Sequence, residues 1–121
     1  MKNPRVLIVE DDNSIREMVA LALQDAGYDV LDARDGELAF ELLKGAPADV
    51  LLVDLRMPLM DGFEFMRRYE AGGGRAPIIV LSASRDIDLT RQKVRAAAIV
   101  EKPFDLNDLI ATVGRITGNG R

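Results

Sequence analysis

Apolar runs alternate with helix-patterned segments five times along this chain, and that alternation constrains the fold more than any other feature. Val6-Leu7-Ile8-Val9, Val50-Leu51-Leu52-Val53 and Ile78-Ile79-Val80-Leu81 are short, rich in β-branched residues and unbroken by polar ones. Such runs mark strands covered on both faces. Tyr28 to Ala33 instead alternates apolar residues with Asp29 and Asp32, which suits an edge strand, and Ala97 to Val100 is a weaker fifth strand. Between them lie apolar stripes at helical spacing: Ile15, Met18, Val19, Ala22, Leu23 and Ala26, closed by Gly27; Leu38, Ala39, Leu42 and Leu43, with Gly45 past the end; Phe63, Met66 and Tyr69, stopped by Gly72-Gly73-Gly74. The segment Arg85 to Ala96 has only Ile87 and Val94 as its stripe. Asp105 precedes a last helix bearing Leu106, Leu109, Ile110 and Val113.

Strand–helix repetition without a tight hairpin signal predicts a parallel sheet with helices on both faces. Right-handed crossovers and an edge position for the second strand give the order 2-1-3-4-5, a flavodoxin-like doubly wound α/β fold of five strands. No linker-like stretch divides the 121 residues, so one domain is expected, with a core over about 5–117 and a frayed Gly118-Asn119-Gly120 tail. The start, Met1-Lys2-Asn3-Pro4-Arg5, leads into only a short apolar run, which is neither a signal peptide nor a membrane span. A cytoplasmic domain with no membrane partner is the expectation.

In such a fold ligands sit beyond the carboxyl ends of the strands. Those ends carry Glu10-Asp11-Asp12, Asp54, Ser82 and Lys102. Two carboxylates 4 Å apart repel by roughly 4 kcal/mol at an effective dielectric of 20. A hard divalent cation relieves that repulsion, and all-oxygen ligands favour Mg²⁺, or Mn²⁺, over zinc. Mg²⁺ in turn favours a phosphoryl companion. Asp54, ending the central strand, is placed to attack phosphorus in line and form an acyl phosphate. Asp11 and Asp12 are assigned to the metal with Asp54; Ser82 and Lys102 are assigned to the phosphoryl oxygens. Either Asp11 or Asp12 could instead cap the first helix, as could Asn13 or Ser14.

The composition removes competing chemistries. With no Cys and no His, disulfides, thiolate catalysis, imidazole bases and phosphohistidine are all excluded, so a phosphoryl group must arrive from another molecule. A net charge of −4 argues against direct nucleic-acid binding. A flavin carrier would need a small polar loop after the first strand, where three acids stand instead. An aspartate-nucleophile phosphatase would need Asp-x-Asp at Asp54, and the sequence reads Asp54-Leu55-Arg56. Gly72-Gly73-Gly74-Arg75 lacks the ending of a phosphate loop and is read as a turn. Met57, Met60 and Met66 are read as packing residues.

Taken together, Val6 to Asp12, Val53-Asp54, Met57-Pro58-Leu59-Met60-Asp61-Gly62, Leu81-Ser82-Ala83 and Lys102-Pro103-Phe104 resemble the receiver domain of bacterial two-component response regulators, across roughly residues 5 to 117. The resemblance implies a signalling module rather than an enzyme. It is phosphorylated on Asp54, with Mg²⁺, by a sensor histidine kinase or histidine phosphotransfer protein, and passes the signal to an output domain or effector protein. It also implies that the Arg56 backbone carbonyl binds the metal, that the Ala83 N–H binds the phosphoryl group, and that the Lys102–Pro103 bond is cis. The sequence departs from the family near the output side. Ile99 stands where Tyr or Phe is usual, Arg95 where glycine is usual, and the Ser82–Lys102 interval is short. Those departures leave a rival reading, a receiver that acts only through protein contacts.

Overall fold

The computed structural model describes residues 3–93 and 95–118. Five parallel strands, β1 (Arg5–Val9), β2 (Asp29–Ala33), β3 (Val50–Asp54), β4 (Ile78–Ala83) and β5 (Ala98–Lys102), form one sheet in the order β2-β1-β3-β4-β5. The uniformly apolar runs occupy the interior of the sheet: every residue of β3 is buried, whereas the alternating β2 lies at an edge with Asp29 and Asp32 exposed. Alternation of side chains across the pleat then divides the core into two. Leu7, Val9, Leu51, Val53 and Val80 face Ala39, Phe65 and Met66 of α2 (Gly36–Gly45) and α3 (Gly62–Ala71). Val6, Ile8, Leu52, Ile79 and Leu81 face Val19 and Leu23 of α1 (Asn13–Asp25) and Leu109 and Val113 of α5 (Leu106–Thr117). Phe65 stacks between Phe40 (4.7 Å) and Tyr69 (6.2 Å) on the first of these faces.

Four helices start at a capping carboxylate. The Asp12, Asp35, Asp61 and Asp105 side chains accept backbone N–H groups of the first turns of α1, α2, α3 and α5, satisfying donors that a helix start leaves open. The stop signals act with small offsets from the sequence reading. α1 ends at Asp25 with Ala26 as its cap and Gly27 takes a left-handed φ of 97°, while α2 runs through Gly45 to a cap at Ala46. Met18 and Ala26, placed on the inner stripe of α1 by spacing, are exposed, because that helix buries only Val19 and Leu23 fully. The thin stripe after β4 becomes a 3₁₀ turn (Ser84–Asp86) and a short α4 (Ile87–Lys93); Val94, expected on that stripe, lies outside the described residues, as do Asn119 and Gly120 of the tail. The three methionines pack as expected, with Met57, Met60 and Met66 all buried.

One glycine is required where the chain turns from β3 into α3. A Cβ on Gly62 would stand 2.7 Å from the Asp54 carbonyl oxygen and 2.8 Å from the Leu55 Cα, both backbone atoms. Gly62→Ala is therefore expected to lower stability by about 1–3 kcal/mol, read as a drop in the urea midpoint without a change in slope. An unchanged midpoint would show that the turn gives way at no cost.

Candidate functional site

The strand ends meet at one edge of the sheet, and register decides which residues face each other. Ala83 pairs with Lys102, Ser82 with Glu101 and Asp54 with Leu81. The Lys102 ammonium donates to Asp54 Oδ1 at 2.9 Å and to Glu10 Oε1 at 3.3 Å. Glu10 and Asp54 are both buried, whereas Asp11 is exposed, and one carboxylate oxygen from each of the three lies within 4.8 Å of the others. The Lys102–Pro103 peptide bond is cis. Arg16 of α1 steadies the end of β1 by donating to the Glu10 carbonyl at 2.8 Å while bridging Asp32 and Asn13.

The sequence reading named Asp11 and Asp12 as the acidic pair. The structure brings Glu10 and Asp11 to Asp54 and gives Asp12 a different task. Its Oδ1 accepts the Ile15 N–H at 3.0 Å, and its own N–H donates to Glu10 Oε2 at 3.2 Å. The acid nearest the helix becomes the cap, so the one upstream joins the trio. The Arg56 N–H approaches Asp54 Oδ1 at 3.4 Å, and Ala83 ends β4 half-buried opposite Lys102. Ser82 is buried, with its hydroxyl 3.2 Å from Thr90 Oγ1 and 3.2 Å from the Ala83 carbonyl. Ile99 pairs in register with Val80 on the edge strand and is half-buried.

Electrostatics at this edge are set by burial. Loss of solvent, then hydrogen bonding to Asp54 and repulsion from its charge, push the Glu10 carboxyl up to about 7 against the pull of Lys102 and the Asp12 N–H. Burial alone disfavours the Lys102 ammonium, but the hydrogen bond to Asp54 and the charges of Asp54 and Glu10 outweigh it and hold Lys102 above its ordinary value. The folded chain thus binds a proton at Glu10 between about 4.5 and about 7 that the unfolded chain has released. Stability of the metal-free protein should fall as pH rises through that window. No histidine contributes there, so the slope belongs to the hydrogen-bonded Glu10 and Asp54 carboxyls. Urea melts from pH 5 to 7 should show it, and Glu10→Gln should flatten it; an equal slope in both proteins would contradict the assignment.

Three carboxylates around one point, with no nitrogen or sulfur donor, match the oxygen ligands of a hard divalent cation. They stand with Lys102 at the carboxyl end of a doubly wound sheet, where Ser82 also lies near the end of its strand. Residues 6–114 match the family model of the response regulator receiver domain, and the chain belongs to that family. It is 34% identical over 113 residues to the regulatory protein AtoC of Escherichia coli K12, covering 92% of this chain and 24% of that protein. It is 35% identical over 109 residues to the response regulator MprA of Mycolicibacterium vanbaalenii, covering 88% of this chain and 47% of that one. The chain thus spans from a quarter to about half the length of these relatives. Among solved structures, the Vibrio cholerae chemotaxis protein CheY4 superposes with a TM-score of 0.82 at 37% identity, covering 94% of this chain and 98% of that one. The receiver domain of the Francisella response regulator 1452 gives 0.85 at 28% identity, with 96% and 98% covered. No helix among the described residues is long and apolar enough to cross a membrane.

Sequence reasoning missed the side chains of Arg56, Asp86 and Thr90. Arg56 makes a two-pronged contact with Asp86, Nε to Oδ2 at 3.0 Å and Nη2 to Oδ1 at 2.5 Å, and that contact holds the Asp86 carboxyl below its usual value. Thr90 donates to the Asp86 carbonyl at 2.7 Å. Nothing in the local pattern distinguishes Arg56 from a solvated loop residue, or Asp86 and Thr90 from a solvated turn and helix face.

Proposed function

We propose that this receiver accepts a phosphoryl group on Asp54 from the phosphohistidine of a sensor histidine kinase or phosphotransfer protein, and signals to an output domain or effector protein. The observation that carries this reading is the buried Asp54 carboxylate, held by Lys102 beside Glu10 and Asp11 at the end of the central strand. In the transfer, the N–P bond of the donor breaks as an O–P bond forms from the Asp54 carboxylate; the imidazole leaves with the bonding electrons and takes a proton from solvent. Lys102 aligns the attacking oxygen beforehand and then meets the charge carried on the phosphoryl oxygens. The Ala83 N–H and the Ser82 hydroxyl stand at the end of the adjacent strand to donate to the same oxygens.

Glu10, Asp11 and Asp54, with the Arg56 backbone carbonyl, are the groups that would hold Mg²⁺, or Mn²⁺; Asp12, as a cap, acts on the helix start. The cation would neutralise the carboxylates and the incoming phosphoryl charge. The intact grouping of Asp54, Lys102 and the carboxylates gives no support to the contact-only alternative. The reading places the chain in the cytoplasm, where such donors work. Titration with beryllofluoride and Mg²⁺ tests it: saturable amide NMR shifts at Asp54, Ala83 and Lys102 that vanish with EDTA are expected. Spectra that stay unchanged at millimolar concentrations of both would contradict it.

A further inference from the structure

At the amino ends of β3 and β4, away from Asp54, α2 and α3 leave a groove of about 670 Å³ between them, a size within the range of small-molecule sites. The rings of Phe40 and Tyr69 and the side chain of Leu43 line it, each only half-buried. Both rings are outer members of the stack centred on Phe65, which holds them in place. Tyr69 is fixed further by the glycine run that follows α3. Its hydroxyl accepts the Ala76 N–H at 3.1 Å and its carbonyl accepts the Gly74 N–H at 2.8 Å, while a Cβ on Gly74 would collide with the ring. The charges on the groove are one-sided. Lys44, Arg68 and Arg75 line it, and no acidic residue does among the described residues, on a chain whose net charge is −4. Lys44 is bonded to Glu41 at 2.9 Å and Arg68 to Glu64 at 2.6 Å. Arg75 is exposed and has no ion pair among the described residues.

We propose that this groove binds a small monoanion with a flat apolar body, an aromatic carboxylate, with its ring against Phe40 and Tyr69 and its anionic group on Arg75. One guanidinium without a partner matches one negative charge, and its forked donors meet a carboxylate through two parallel bonds. The half-exposed rings offer apolar surface whose removal from water favours binding. A cation finds no counter-charge on this wall, and a bare phosphate gains nothing from the rings. The site is independent of the phosphoacceptor reading. Pro47 and Ala48 lead into β3, and Arg75 and Ala76 lead into β4, so the groove lies a strand's length, roughly 15 Å, from the carboxyl ends.

The test titrates the full chain with naphthoate and with the neutral naphthamide, followed by amide NMR in metal-free buffer, and repeats both titrations in Arg75→Gln and Arg34→Gln. Naphthoate is expected to shift the amides of residues 40–48 and 68–76 saturably, with one molecule bound per chain. Naphthamide should bind roughly tenfold more weakly, and Arg75→Gln should weaken naphthoate to the same degree, the effect of losing a charge-assisted hydrogen bond. Arg75 is exposed, so the variant should keep the fold. Arg34→Gln removes an exposed charge beside the carboxyl end of β2 and should leave the affinity as it was. Equal affinity for the acid and the amide, tight binding by Arg75→Gln, shifts spread over other faces, or no saturation at millimolar naphthoate would each overturn the site. So would movement of the same amides on raising the protein concentration alone, which would make a second copy of the chain the occupant.

Discussion

Asp54→Asn is expected to take up no phosphoryl group from any donor. The amide is nearly isosteric with the carboxylate, and Lys102 keeps Glu10 as a partner at 3.3 Å, so the fold should persist. What disappears is the nucleophile, because a neutral amide oxygen cannot form the acyl phosphate. The same substitution leaves only two of the three carboxylates that would hold a cation. Affinity for Mg²⁺ should fall by more than the ~10–100-fold that loss of an outer partner costs. Intact mass and a Mg²⁺ titration monitored by NMR read the two effects separately. Uptake by the variant at the parental rate would move the acceptor to another carboxylate.

Lys102→Ala has the second large effect, and it acts with opposite signs on two observables. Phosphoryl uptake should fall by about 10²–10³-fold, the usual consequence of removing a preorganised donor to developing charge. Without metal, Glu10 and Asp54 lose their shared counter-charge while still buried, and breaking such a grouping costs about 3–5 kcal/mol. A cation held by Glu10, Asp11 and Asp54 would take over the vacated role. The variant should therefore bind the cation more tightly than the parent and regain most of its stability when it is added. Urea midpoints with and without Mg²⁺ check this. Equal destabilisation in both conditions would show that Lys102 supports the fold by packing and not by charge.

Much of this site was legible because it depends on periodicity and on where strands end. Val50 to Val53 reads as buried from composition alone, and a doubly wound sheet then carries Asp54, Ser82 and Lys102 to one edge whatever their separation in sequence. The acidic triplet was legible only to within one residue. Which acid caps α1 depends on the turn at which the helix starts, and that choice moves Asp12 out of the trio and Glu10 into it. Glu10 also closes an apolar strand, where burial drives its carboxyl upward; assigning the cap first would have singled it out. The side-chain contacts of the 3₁₀ turn and α4 were beyond reach. Arg56 and Asp86 lie 30 positions apart and Ser82 and Thr90 lie 8 apart, across a segment whose apolar stripe is too thin to fix its orientation. Met18 was misplaced for a related reason, since spacing gives the inner face of a helix but not how much of it the sheet covers.

The central claim is that Asp54 is a metal-dependent phosphoacceptor, and the most direct measurement is intact mass after incubation with phosphoramidate, a small donor with the N–P bond of phosphohistidine. With Mg²⁺ the parent should gain a single phosphoryl group, with EDTA none, and Asp54→Asn none in either case. A gain that is indifferent to the metal or survives in the variant would contradict the account, as would a parent that never gains the group.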